Sequence, residues 1–172
     1  MDIKSSAAAA EIYETEKHLH NREKWFGDAA GGATGETHVA DRMGGSVIPF
    51  ALLTGNADWG SWVQVLGSTD TPVQDGKKKF DAHRFLVTTT DSTEAFNVQV
   101  IAGESADLAA LVAAEAMTEA PFISATNNGD SGISDIMSIR VDVGTKVWAR
   151  AVCIGQDAKT TNIYFGIHEY RA

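Results

Sequence analysis

The residues that could do chemistry, by type and spacing, are few. The tetrad Gly129-Asp130-Ser131-Gly132, inside NNGDSGIS, could present a serine nucleophile. A nucleophilic serine needs a histidine base within hydrogen-bond reach and an acid to orient that base. The five histidines are His18, His20, His38, His83 and His168, and none stands in a setting that marks it as such a base. Asn, Gly and Asp tolerate positive φ, so NNGDSG reads as a turn between two strands, and Ser131→Ala is expected to leave function unchanged. Metal ligands fare no better by spacing. His18 and His20 fall in a helical stretch, where side chains two residues apart diverge by about 200°. Glu36, His38 and Asp41 in ETHVAD read as a solvated or docking loop, and His168 in HEY as a hydrogen-bonded strand residue rather than a ligand. There is no phosphate loop, no GxGxxG, no CxxC and no carboxylate pair that stands apart from the solvated acids. The expectation is therefore no catalytic residue, no cofactor and no metal.

The bulk properties narrow the partners. The net charge is −9, and the only basic cluster, Lys77–Lys79 in GKKKF, reads as a solvated turn, so nucleic acid is not an expected partner. No apolar run reaches the length of a membrane span, and the start of the chain lacks the apolar stretch of a signal peptide. The single cysteine, Cys153, lies in the apolar run VWARAVCIG and reads as a buried thiol.

Three zones must position these residues. Residues 1–26 read as an N-terminal helical arm: SSAAAAEIYETEKHLHNREKWF has no Gly or Pro and opens with serines that can cap a helix. Its apolar residues Ile12, Leu19 and Phe26 repeat every seven positions with only Ala8, Thr15 and Arg22 beside them. That seam is too thin for a coiled coil or a private core, so the arm needs another chain to order it. Ile12, Leu19, Trp25 and Phe26 are its expected interface residues, because aromatic anchors dominate interface energetics. Residues 27–45 are glycine-rich and read as a linker or docking arm without regular structure.

Residues 46–172 read as a β-sandwich domain. The runs VIPFALL, WGSWVQVLG, HRFLVTTT, AFNVQVIAG, APFISAT, SDIMSIRVDV, KVWARAVCIG and NIYFGIHEY give about eight strands, with VGTK and GQDAKTTN as compact turns. In KVWARAVCIG neither face is polar throughout, which marks a central strand covered on both sides. One helix, ESADLAALVAAEAMTEA, is expected to start at Ser105 with Leu108, Leu111, Val112 and Met117 as its apolar stripe. The fold class is thus mainly β: an antiparallel β-sandwich of jelly-roll type with one inserted helix and the helical arm. Trp59, Trp62 and Trp148 read as core; Trp59 and Trp62 are also the candidate ligand-stacking residues, as in sugar-binding sandwiches.

At IYETEKHLHNREKWFG, THVAD, FDAHRFLVTTT, VGTKVWARA and YFGIHEY the chain resembles small virion structural proteins of tailed bacteriophages, of the decoration, cement or head-fibre-base type. The resemblance covers most of the chain and brings no catalytic motif. It implies a non-enzymatic capsid-decorating or stabilising protein, with the arm attached to the major capsid protein or another virion protein. It also implies a homo-oligomer, expected to be a trimer, located in the virion after assembly in the host cytoplasm. The alternative expectation is a receptor- or carbohydrate-binding module of a phage fibre or tail. A third, a small hydrolase working through Ser131 or a metal at His38, finds no support in spacing.

Overall fold

A computed structural model describes residues 23–29, 40–42, 47–66, 79–103, 107–123 and 132–170. Among the described residues twelve strands form two antiparallel sheets, accompanied by one short helix, an arrangement compatible with a β-sandwich. The eight-stranded sheet is built around β6 (Lys79–Thr90) and β12 (Thr160–Tyr170), paired along their length. The other edge of β12 is shared by β1 (Lys24–Ala29) and β4 (Phe50–Leu53), and β1 in turn carries β2 (Ala40–Arg42) and β3 (Val47–Ile48). The other edge of β6 carries β9 (Ile133–Asp135) and β10 (Val141–Asp142). The four-stranded sheet runs β5 (Val63–Leu66), β11 (Val147–Cys153), β7 (Ala95–Ala102), β8 (Met117–Ile123).

Alternation along the strands sends one side of each sheet into a common core. Phe50, Phe80, Phe85, Phe165 and Ile167 come from the larger sheet, and Val65, Val98, Val100, Ala149 and Ala151 from the smaller. Phe122 on β8 joins them by stacking on Phe96, at 5.3 Å and 5°, and meeting the edge of Phe85 at 5.7 Å. Burying each of these rings contributes on the order of 1.5–3 kcal/mol. Pro49 lies between β3 and β4, where it cannot donate to a ladder.

Several expectations are met. β11 is covered on both faces: Val147, Ala149 and Ala151 enter the main core, while Trp148 enters a second cluster with Ile101 and Leu111. Cys153 is a buried free thiol whose Sγ donates to Ser92 Oγ at 3.7 Å. Gly144 and Gly155 take φ values of 89° and 81°, in the turns VGTK and GQDAKTTN.

Others are corrected. The helical arm does not extend to Phe26: Lys24–Ala29 is a strand, and Phe26 pairs with Phe165 and is buried in the main core. Trp25, on the opposite side of the strand, is half-buried, so this pair does not form an outlying anchor. Local helix propensity is a weak preference, and a tryptophan–phenylalanine pair beside an open strand edge gains more by pairing there. Ile12 and Leu19 lie outside the described residues. The glycine-rich stretch 27–45 is also not wholly irregular, because β2 forms within it and pairs with β1, so the sheet begins before residue 46. Gly27 lets β3 and the Tyr164 ring approach β1 closely: any Cβ there would strike the Ile48 carbonyl and the ring of Tyr164.

The inserted helix, α1, is only Leu108–Ala113. Its N-cap is Asp107, whose side chain accepts the Ala109 N–H at 3.0 Å. Glu115, at φ 52°, ends the turn, and the Ala116 N–H closes it on the Leu111 carbonyl. Met117 then becomes the first residue of β8 instead of the last of the helical stripe.

Candidate functional site

Three features of the surface hold residues that could act on something else. The first lies on the outward side of the larger sheet. Asp81 and His83 are two apart on β6 and share that side, because Phe80 and Ala82 point into the core. His168 is the β12 partner of Asp81. The ladder between the strands slips at His83, where β12 steps from Arg84 to Ala82 across Gly166 and Ile167. A bulge of this kind re-aims a side chain, and here the His83 ring lies on the His168 ring with centroids 4.2 Å apart and tilted by 30°. His168 Nδ1 stands 3.8 Å from Asp81 Oδ1, and the His168 side chain is only 2% exposed.

Asp81 is held from its other oxygen. The Tyr170 hydroxyl donates to Asp81 Oδ2 at 2.5 Å, and the Arg140 guanidinium lies 3.4 Å over the Tyr170 ring. Burial raises the Asp81 carboxyl above its ordinary range, opposed by the Tyr170 hydrogen bond and by the charges of His83 and Arg140. Burial and the neighbouring carboxylate push the Tyr170 phenol up to about 12. Next along the same side, Arg84 Nε donates to Asp135 Oδ1 at 2.7 Å, and its Nη1 lies 3.5 Å from Glu23 Oε2. Asp81, His83 and His168 bring one ligand atom each to within 4.8 Å of one another, and they are the group of this kind among the described residues.

The second feature crosses the outward side of the smaller sheet. The Arg150 guanidinium lies between two indoles, 4.8 Å from the Trp59 ring centre and 4.3 Å from that of Trp62. Its Nε donates to Gln99 Oε1 at 2.8 Å, and Gln99 Nε2 donates to Glu119 Oε2 at 2.8 Å. Burial lowers the Arg150 pKa, partly offset by Asp58 and Glu119. Each candidate stacking tryptophan therefore gives a ring face to an arginine of its own chain. Trp62 also packs against the Trp148 cluster.

The third feature is an apolar edge. From Ile133 to Val143 the chain runs along β6 through β9, the bonds Ile136 N–H to His83 O and Ser138 N–H to Ala82 O, and β10. Ile136 and Val141 turn inward. Ile133, Met137, Ile139 and Val143 turn out, with Met137 68% exposed. Among the described residues no strand lies on the far side of this segment. Edge strands are ordinarily guarded by outward charges. Here the charges are engaged within the chain: Asp135 with Arg84, Arg140 with Tyr170, and Asp142 with Lys79 at 3.6 Å. Ile123, at the end of β8, is also exposed, and β8 and β9 are neighbours.

Most of the residues that the sequence offers for chemistry are not among the described ones. Ser131, His18, His20, Glu36 and His38 lie outside the described residues, and Asp41 belongs to β2. The cluster that does form joins His83 and His168, which are far apart in sequence and close only through the β6–β12 register. The single local hint was the alternation Asp-Ala-His in FDAHRF. Comparison of the chain with family models, with curated proteins and with solved structures returns no match.

Proposed function

We propose that the protein is a non-enzymatic structural component of a bacteriophage virion. In this reading a jelly-roll-like β-sandwich decorates or stabilises the capsid as a homo-oligomer, with a trimer as the expected state. Attachment to the major capsid protein or another virion protein runs through the segment that precedes β1. The observation that carries the reading is the apolar edge Ile133–Val143. Four outward apolar side chains on an edge that no described strand covers cost little where a second copy of the chain covers them, and favour aggregation where nothing does. The resemblance segments FDAHRFLVTTT and YFGIHEY supply β6 and β12, the centre of the larger sheet. The acidic balance suits a protein held at high density on a particle. The carbohydrate-binding alternative rests on Trp59 and Trp62, and each of these rings has the Arg150 guanidinium over it.

Two measurements test this. Light scattering on the full chain should give a multiple of the monomer mass, and Met137→Glu with Ile139→Glu should return a folded monomer. A wild-type chain that stays monomeric at high concentration overturns the oligomer. In particle reconstitution, a chain lacking residues 1–22, which keeps β1 whole, should fold and fail to load. Full loading by that truncation removes the attachment role.

A further inference from the structure

We propose that Asp81, His83 and His168 form a binding site for one first-row divalent transition ion, with zinc as its best-suited occupant. The donor set is two imidazoles and one carboxylate, which suits zinc and its neighbours and is poor for calcium or magnesium. The scaffold is right for such a site. Two donors alternate on one side of β6, and the third stands opposite the first on β12, so all three face the same way from two hydrogen-bonded strands. Backbone pairing thereby fixes the strand positions that carry the donors before any ion arrives, which lowers the ordering cost of binding.

The distances suit a site that closes on its ion. Bonds of about 2.0–2.1 Å to a tetrahedral zinc place donor atoms roughly 3.3–3.4 Å apart. The three donors already lie within 4.8 Å, so small side-chain rotations complete the set. Asp81 Oδ1 is buried, accepts no hydrogen bond, and faces His168. Its sister oxygen is occupied by the Tyr170 hydroxyl, with Arg140 stacked on that ring. This is the outer support that metal-binding carboxylates ordinarily have: one oxygen anchored by a second residue, the other left for the ion. At 3.8 Å the Asp81–His168 contact is too long for a hydrogen bond, and an ion between them gives Asp81 Oδ1 a partner. Three protein donors leave a fourth position for water or for a group from another molecule, reached from the half-exposed side of Asp81 and His83.

The test is calorimetric titration of the metal-free full chain with zinc chloride, repeated with cobalt chloride followed by its visible absorption. One ion per chain is expected at micromolar affinity or tighter, with the stronger absorption of four-coordinate cobalt. His83→Ala, at a half-exposed position, should fold normally by circular dichroism and weaken zinc binding at least 30-fold. Asp81→Asn should weaken it by a similar factor while keeping the Tyr170 hydrogen bond. Histidine proton resonances serve as an independent readout, since paramagnetic cobalt should broaden those of His83 and His168 first. Absence of one-to-one binding, or zinc affinity unchanged in His83→Ala, overturns the proposal. The second result would place the ion elsewhere, for which His18, His20 and His38 are the remaining imidazoles.

Discussion

The outward sides of the two sheets solve the same problem in opposite ways. The smaller sheet covers part of its outer side with a second apolar cluster, in which α1 lies over Trp148 and Ile101, and the rest with the Trp59–Arg150–Trp62 stack. The larger sheet gathers charged and polar residues there: Asp81, His83, His168, Tyr170, Arg140, Arg84 and Glu23. An apolar cover contributes through area and tolerates imprecise geometry, whereas a polar cover is favourable only if each group meets its partner. The smaller sheet's outer side is therefore expected to carry stability, and the larger sheet's to carry specificity.

Substitutions can break that contrast. Trp148→Ala should have the largest effect, a loss of about 3–5 kcal/mol, as for other buried aromatic truncations. Urea unfolding would show it, with α1 losing its seat at the same time. A loss below about 1 kcal/mol would mean that the second cluster adds little and that the contrast is false. On the larger sheet, Gly27→Val tests packing instead of polarity. The new side chain must displace Tyr164 and the Ile48 carbonyl, at an expected cost of about 1–3 kcal/mol in the same assay. Asp107→Ala should cost roughly 1 kcal/mol through loss of the cap on α1. The effect belongs only to the smaller sheet, so it should add to that of Gly27→Val and not to that of Trp148→Ala.

The smallest expected effect concerns the polar side. The folded-state pKa of Tyr170 is raised from its ordinary 10 to about 12. The native state therefore holds this proton more tightly than the unfolded chain does. The corresponding stability is fully present below pH 10 and is lost as the pH rises towards about 12. Tyr170→Phe cannot ionise, so its urea midpoint should decline less steeply than that of the wild type over this window. Parallel curves for the two proteins would show that Tyr170 is not held as described.

What could be read from the sequence follows the same division. The two covered faces of β11, the buried thiol of Cys153, the turns at Gly144 and Gly155 and a helix after β7 all rest on contacts among neighbours in sequence or on simple alternation. Their patterns are complete within ten residues. The strand at Lys24–Ala29 could not be read that way. Nothing inside KWF marks a strand, Gly27 after it reads as the start of a linker, and the pairing partner lies at the far end of the chain. The Asp81–His83–His168 cluster was hidden for a similar reason, compounded by the bulge. The strand register that aligns it slips by one residue at His83, and no periodicity in FDAHRF reports that slip.

One feature of the larger sheet bears on how the molecule is made. β12 lies between β6 on one side and β1 with β4 on the other, and all three precede it in the chain. During synthesis those segments emerge with their shared neighbour still missing, so this layer closes only when residues 160–170 leave the ribosome. Until then the aromatic rings of Phe26, Phe50 and Phe85 have no Phe165 and Ile167 to meet, and loop closure over such separations is slow. Production in cells should accordingly depend on how well that half-built layer is shielded by chaperones.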